Sequence, residues 1–353
     1  MSTSRTNRNK IDEVILSLVA TRNLNSKSIN QIAQNSNLSR QSIYKKVNKL
    51  CEKGILNKEK NGKSCKYSLN HKEYNFEYKL NGLNEDLVLK DVEQFAKPFK
   101  NNVYKIFRYI LTEMVNNAID HSEGQNLYIQ IEVNDYEILT YISDDGIGIF
   151  KKIKDKFNLD DISQSILELS KGKTTTDPDN HSGEGIFFSS KLADEFSIIA
   201  NNTNYMTRNQ TFTNEKLQEN KGFILDDIKF ETTGTLIYFK LISLNQLEIS
   251  EVFNQFSDSD KGFYKTIVPV KHLEENDVEK FYISRSQAKR LSAGFEKFKE
   301  VILDFSDVKE IGQAFADEIF RVYQRQNPNT KIKYINANKN ITNMIKRVLN
   351  NNI

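Results

Sequence analysis

The sequence predicts a multidomain protein of the α+β class, on three observations. The chain has 353 residues, too many for one compact core. Its apolar period switches repeatedly between the 3.6 residues of helices and the two of strands. Its charge is also split. Residues 1–72 hold 15 Lys and Arg against 4 Asp and Glu, and the rest holds 35 against 43, so a segment of +11 precedes one of −8. Such asymmetry points to a polyanionic partner for the first segment.

Composition narrows the class. A hydrophobic fraction of 38% with 27% charged residues belongs to a soluble globular protein and excludes a disordered one. No apolar stretch approaches the ~20 residues that span a bilayer. The start, MSTSRTNRNK, lacks the apolar core of a signal peptide. Two cysteines, Cys51 and Cys65, make no disulfide framework and no zinc site. The expectation is a cytoplasmic protein with no membrane partner.

Residues 1–70 form the first unit. Ile11, Val14, Ile15, Leu18 and Val19 recur at helical spacing, and a second helix follows a cap at Ser28 with Ile29, Ile32 and Ala33 apolar. Ser39 caps a third helix that turns Ile43, Val47 and Leu50 inward and ends at Gly54. ILNKEKNGKSCKYSL then gives two strands around Asn61-Gly62, a hairpin signal. Three helices and a hairpin resemble the winged helix-turn-helix family. The resemblance implies binding of double-stranded DNA. Arg40, Gln41, Ser42, Tyr44, Lys45 and Lys49 lie on the outer face of the third helix, and Lys60 and Lys63 at the hairpin tip reach phosphates. Solvated basic residues on a protein-binding unit are the plain alternative.

Residues 71–98 read as a connector of mixed charge and weak periodicity, with Pro98 at its end. The second unit, 99–245, opens with a helix over 103–121. Strands follow at 127–133 and 137–144, a glycine turn opens a helix at SGEGIFFSSKLADEF, and further strands lie at 197–201 and 234–241. A mixed sheet with helices on one face is the expected layering. The third unit, 260–353, alternates strands at 265–270, 300–305 and 331–337 with three helices, a small α/β domain.

The chemistry gathers in the second unit. In EMVNNAIDHS, Glu113 and Asn117 are four apart and share a helix face, as do Asn116 and Asp120. An amide oxygen is a hard ligand for magnesium, and a carboxylate one turn away can deprotonate a nucleophile attacking phosphate. Asp144-Asp145-Gly146-Ile147-Gly148 ends a strand, where a carboxylate can accept from an adenine amino group and glycine lets backbone approach a flat ring. Gly183-Glu184-Gly185 opens a helix whose free N–H groups favour phosphate, and Thr233-Gly234-Thr235 begins a strand.

This series of ExxxNA, DxGxG, GxG and GT, over about residues 100–242, resembles the GHKL ATP-binding family of gyrase, histidine kinases, MutL and anti-sigma-factor kinases. The resemblance implies an α/β sandwich that binds ATP and magnesium. Glu113 becomes the general base and Asn117 the magnesium ligand. Asp144 holds adenine, Gly146 and Gly148 shape its pocket, and Thr235 closes that side. Gly183 and Gly185 face the phosphates. Residues 150–182 form a lid, with Lys171 and Lys173 as phosphate contacts. Gly172-Lys173-Thr174 is not a P-loop, because Leu167 stands where the motif needs glycine. His121 falls inside the first box, and no separate helix presents a phosphoacceptor.

The stretch FYISRSQAKRLSAGFEKFKEVILDFSDVKEIGQAFADEIFRVY resembles the STAS-like domains, which implies a regulatory module with a protein partner. The family's phosphoserine loop reads Ile311-Gly312-Gln313-Ala314 here and carries no hydroxyl. Ser284 to Gln287 read as helix-capping residues, and Asp304, Asp307, Asp317 and Glu318 as a solvated acidic face. Two functions follow. One is a DNA-binding regulator switched by ATP, with slow hydrolysis. The other is a serine/threonine kinase of the anti-sigma-factor type acting on a partner. A scaffold that binds ATP without turnover is a third, and a homodimer is compatible with each.

Overall fold

The computed structural model describes residues 11–12, 14–16, 18–19, 24, 26–61, 64–162, 164–174, 183–208, 233–258, 262–273 and 281–350. Residues 11–12, 14–16 and 18–19 are helical, followed by α1 (Ser26–Ser36) and α2 (Arg40–Glu52). α1 starts two residues ahead of the expected cap Ser28, which is buried within the helix. The start of α2 is as the sequence suggests: Ser39 Oγ accepts the Ser42 N–H at 3.1 Å. The chain leaves α2 through Gly54 at φ 69°, the left-handed turn that favours glycine. β1 (Leu56–Asn61) and β2 (Ser64–Leu69) pair antiparallel. Ile15, Ile29, Ile43, Val47, Leu56 and Leu69 close a small core. Each fully buried aliphatic there is worth roughly 1.5–3 kcal/mol.

Residues 71–98 are not a connector. They hold β3 (Lys72–Lys79) and α3 (Glu85–Val92), and β3 pairs along its whole length with β4. As an edge strand exposed over most of its length, β3 shows little alternation, which explains the weak signal. Then come α4 (Asn101–His121), β4 (Asn126–Val133), β5 (Glu137–Asp144), α5 (Ile149–Phe157), α6 (Gln164–Lys171), α7 (Gly185–Leu192), β6 (Glu195–Ala200), β7 (Thr203–Arg208) and β8 (Thr235–Ile242). The strand order is β3-β4-β5-β8-β6-β7. The expected mixed sheet is a correction: every described pair is antiparallel. β5 and β6 point the same way, as helical crossovers between them suggest, but β8 slots between them and runs opposite to both.

One face of this sheet packs on helices. Leu127, Ile129 and Ile131 of β4, Ile138 and Ile142 of β5, and Ile237 and Phe239 of β8 are buried. Phe107 of α4 meets Phe239 at a ring separation of 5.9 Å. The other face shows Tyr128, Gln130, Tyr141 and Tyr238, half-buried or exposed. Residues 150–162 and 164–174 are largely helical and packed, with Phe150, Ile153, Ile166 and Leu167 buried; residues 163 and 175–182 of the expected lid lie outside the described residues.

α8 (Ile249–Phe256) leads into the last unit: β9 (Lys265–Pro269), β10 (Phe281–Tyr282), α9 (Arg285–Ser292), β11 (Glu300–Asp304), β12 (Glu310–Ile311), α10 (Gln313–Asp317, continuing as wider turns to Tyr323 and as α-helix to Gln326), β13 (Lys331–Ile335) and α11 (Lys339–Asn350). Its three-stranded sheet is parallel in the order β13-β11-β9. Its core is continuous with that of the second unit, through Phe187, Phe188, Phe256 and Phe263. Asp304 accepts from Ser306 and Asn336, Asp307 pairs with Lys271, and Asp317 with Arg321, so these carboxylates organise loops and a helix.

The first unit keeps its own core and joins the sheet at one end. Ile242 of β8 is buried in that core and Tyr136 packs on it. Beside them Glu137 is buried between two bases: Oε1 lies 3.0 Å from His71 Nε2, and Oε2 lies 2.9 Å from Lys240 Nζ. Burial alone would raise the Glu137 pKa, but the hydrogen bond from His71 and the Lys240 charge outweigh it and hold the carboxyl below its ordinary value. Because the folded-state pKa is depressed, this stabilisation is present above the unfolded value and is lost as pH falls through the folded one. Glu137→Ala takes the shared acceptor from His71 and Lys240 in a buried setting and should cost about 3–5 kcal/mol. Adding Lys240→Met should restore part of it, read from urea midpoints of the full chain; equal loss in single and double variants would contradict the pairing.

Candidate functional site

A cleft of about 970 Å³, including its open mouth, lies between α4, the ends of β5 and β8, and the segments around α5 and α7. From α4 it is lined by Glu113, Met114, Asn117, Ala118 and His121, one stripe of the helix. Asn116 and Asp120 of the same motif lie outside that stripe. Helix spacing therefore sorts the polar residues of EMVNNAIDHS into a cleft set and a remainder.

The floor is built around Asp144, the last residue of β5. Its Oδ1 accepts the N–H groups of Gly146 at 2.9 Å and Thr235 at 3.2 Å. Among the described residues, Oδ2 accepts no hydrogen bond. Burial raises the Asp144 pKa, and the two N–H donors offset part of that rise. The adjacent Asp145 works on the outer loop: it accepts from the Gln125 and Asn126 N–H groups and the Asn126 amide, which hold its carboxyl below the usual range. Thr235 Oγ1 accepts the Ile149 N–H at 3.0 Å and so joins β8 to the start of α5.

Glycine is required where backbone crowds this floor. Gly234 has φ 95°, and a Cβ there would overlap the Asp144 carbonyl oxygen. Gly148 has φ 84° and lies against the Asn201 amide, which itself holds Ile147 O and the Lys151 N–H at 3.0 Å each. Gly146 packs on the Ser122 carbonyl, behind the cleft wall. At the opposite end Gly183 has φ 70°, with Thr174 backbone 2.7 Å from where its Cβ would be. A Cβ at Gly185 would overlap Glu113 Oε2. The Glu113 carboxylate thus sits against the N-terminus of α7, whose first N–H groups have no partner within the helix.

The cleft therefore gathers Glu113, Asn117, Asp144, Gly148, Gly183, Gly185 and Thr235. It does not gather Lys171 and Lys173. Lys171 is buried and its ammonium meets Glu168 and the carbonyls of Arg290 and Ala293. Lys173 donates to Lys297 O at 3.0 Å and lies over the Phe263 and Phe298 rings. Both lysines are drawn to the last unit because its helix ends and rings offer partners that sequence spacing does not reveal. The sequence reading missed Lys152, a cleft cation held by His121 O at 2.6 Å and Glu123 Oε1 at 2.9 Å. Its position four residues after Gly148 was hidden in the run KKIKDK. It also missed Glu184, whose pKa is raised by burial and partly lowered again by the Lys173 charge.

The cleft suits a nucleotide with magnesium. Its floor is apolar around one carboxylate, through Ile142, Ile149, Ile153 and Ile237. Its other end has glycines whose Cβ positions are already crowded, beside hard oxygen donors on Glu113 and Asn117.

On the first unit, Arg40, Gln41, Lys45, Lys49 and Lys60 are exposed, whereas Ser42 and Tyr44 are half-buried. Ser42 Oγ is within 2.9 Å of Ser39 Oγ, and Tyr44 packs on the unit's core. Lys63 lies outside the described residues.

Two family models match parts of the chain. Residues 102–214 match the family of histidine kinase-, DNA gyrase B- and HSP90-like ATPases. Residues 287–342 match a STAS-like domain of unknown function (DUF4325). No curated protein matches the chain. The chain thus carries a GHKL-type ATPase domain followed by a STAS-like domain.

Gly234→Ala should displace Asp144 as well as strain the backbone. The expected loss is about 1–3 kcal/mol from the positive φ alone, measured by denaturation, together with weaker nucleotide binding. Unchanged binding would show that Asp144 is not held by this contact.

Proposed function

We propose that this protein is an ATP-responsive DNA-binding regulator, in which the nucleotide cleft sets the state of an N-terminal winged helix-turn-helix unit. One observation carries the reading. β5 and β8 place Asp144 and Thr235 in the cleft, and at their other ends Tyr136 and Ile242 pack into the core of the N-terminal unit. The same two hydrogen-bonded strands border the cleft and the core of the N-terminal unit.

In this reading Asp144 Oδ2 accepts from the adenine amino group, while Oδ1 stays bound to Gly146 and Thr235 and so keeps the carboxylate in place. The N–H groups at the start of α7 receive phosphate oxygens. Glu113 takes the proton of a water as its oxygen bonds to the γ-phosphorus and the bond to the β-phosphate oxygen breaks, leaving ADP and phosphate. Magnesium supplies charge neutralisation at the phosphates, and Asn117 is the residue that would hold it. Lys152 adds a fixed positive charge to the cleft wall. The same Glu113 could activate a partner's serine or threonine hydroxyl, which is the kinase alternative; the STAS-like domain packed beside α6 and α7 is the observation that favours it.

DNA binding rests on the +11 charge of residues 1–72, the exposed row Arg40, Gln41, Lys45 and Lys49 on α2, and Lys60 on the hairpin. Arg40→Ala and Lys45→Ala should weaken duplex binding. Lys60→Ala should lower the slope of log K against log salt by about 0.9 if it neutralises one phosphate. Titration at several salt concentrations reads both, and an unchanged slope with unchanged affinity would remove these residues from the interface.

The cleft is tested by label fate. With γ-labelled ATP, free phosphate that disappears in Glu113→Ala and Asn117→Ala supports the ATPase. Acid-stable label on a protein moves the kinase reading forward. ATP binding without either leaves a sensor. ATP affinity should also fall as pH drops, beginning above the ordinary carboxylate range, because protonated Asp144 no longer accepts from adenine. Asp144→Asn should bind weakly with a flat profile; a profile like wild type would contradict the assignment.

A further inference from the structure

Lys171 ties the wall of the nucleotide cleft to the STAS-like domain. It ends α6, two residues after Leu169 and three before Thr174, and both of those residues line the cleft. Its side chain is 3% exposed. The ammonium donates to Glu168 Oε1 at 2.7 Å and Ala293 O at 2.9 Å, with Arg290 O at 3.4 Å. The last two carbonyls belong to the C-terminal end of α9, which has no helical N–H to satisfy them and carries partial negative charge. From the same domain, the buried Thr266 of β9 donates its hydroxyl to Lys171 O at 2.6 Å. Lys173 adds a fourth bond between the two domains, to Lys297 O. Thr174 Oγ1 closes the segment back on Glu168 O at 2.7 Å.

We propose that Lys171 is a positioning residue of the nucleotide site: it fixes the wall from Leu169 to Thr174 on α9 and β9, so that ATP affinity depends on the STAS-like domain. This rests on the reading of the cleft as an ATP site. A buried apolar side chain of similar size would hold the two domains together as well as a buried ion pair does. What the lysine adds is direction: Glu168, on the same helix, orients the ammonium, and the carbonyls of Arg290 and Ala293 define one place for the α6 C-terminus on α9. The domain that resembles a separate regulatory module is by this account part of the cleft's frame, and a partner docked on it would act on ATP through α9 and β9.

The test uses the full chain and direct calorimetric titration with magnesium-ATP. The variants are Lys171→Met combined with Glu168→Gln, which leaves no unpaired charge, and Thr266→Val, which removes the second fastening. Each should weaken ATP binding by about tenfold, and their combination should fall short of the product of the two effects because both act on one segment. Thermal midpoints are measured beside them. Lower midpoints with unchanged ATP affinity would reduce both residues to structural support and overturn the proposal. Loss of affinity in the Lys171 variant with no change in Thr266→Val would make Lys171 a direct phosphate contact and overturn it as well. If the Lys171 variant does not fold, Thr266→Val decides alone. Asp144→Asn separates the two readings: if wild type and Asp144→Asn both fail to bind ATP, the nucleotide reading itself fails and this proposal falls with it.

Discussion

Asp144 Oδ1 accepts two backbone N–H groups, one from its own glycine turn and one from Thr235 at the start of β8. This double acceptance joins the ends of two strands that are not neighbours in sequence. It leaves the second carboxylate oxygen without a described partner and sets the floor against which α4 lays Glu113, Asn117 and His121. Gly234 is needed because any larger residue would push into the Asp144 carbonyl. The turn from Gly146 to Gly148 then starts α5, which carries Lys152 to the cleft. Buried charge of this kind is costly unless its lone pairs are used, and here two backbone donors serve Oδ1 and offset part of that cost.

The consequence reaches the far end of the same strands. Eight residues of extended chain span about 25 Å, from Asp144 to the Glu137 cluster that faces His71 and Lys240. The strands that meet at the cleft thus reach the core of the N-terminal unit at their far ends, through Ile242 and Tyr136. Proximity alone moves nothing. ATP shifts the N-terminal unit only to the extent that it binds two arrangements of the chain with different affinity.

Much of the cleft was legible in the sequence because its residues sit at fixed spacings on single elements. Glu113 and Asn117 share a helix stripe, and Asp144 with its glycines ends a strand. The parts that were not legible depend on contacts between distant elements. β3 reads as a linker because an edge strand exposed over most of its length shows no alternation. The sheet reads as mixed because helices join β5 to β6, and nothing local reveals that β8 enters between them. Lys171 and Lys173 read as phosphate ligands because they follow a polar loop near glycine, whereas the carbonyls and rings that hold them come from residues 263–298. Lys152 is one lysine in a run of four, and only its seat on His121 O distinguishes it.

The shared core of the ATPase and STAS-like domains changes how the chain divides. The N-terminal unit has its own core and meets the sheet at Ile242 and Tyr136, whereas the other two domains share one continuous core. In the proposed reading, an effect of ATP on the N-terminal unit is matched by an equal effect of that unit's ligand on ATP. The most direct measurement is the affinity for magnesium-ATP of the full chain, titrated with and without a saturating DNA duplex. Bound DNA should change the ATP dissociation constant by about fivefold or more. An ATP affinity that is the same with and without bound DNA would contradict it, since two sites that do not alter each other's binding cannot form a switch.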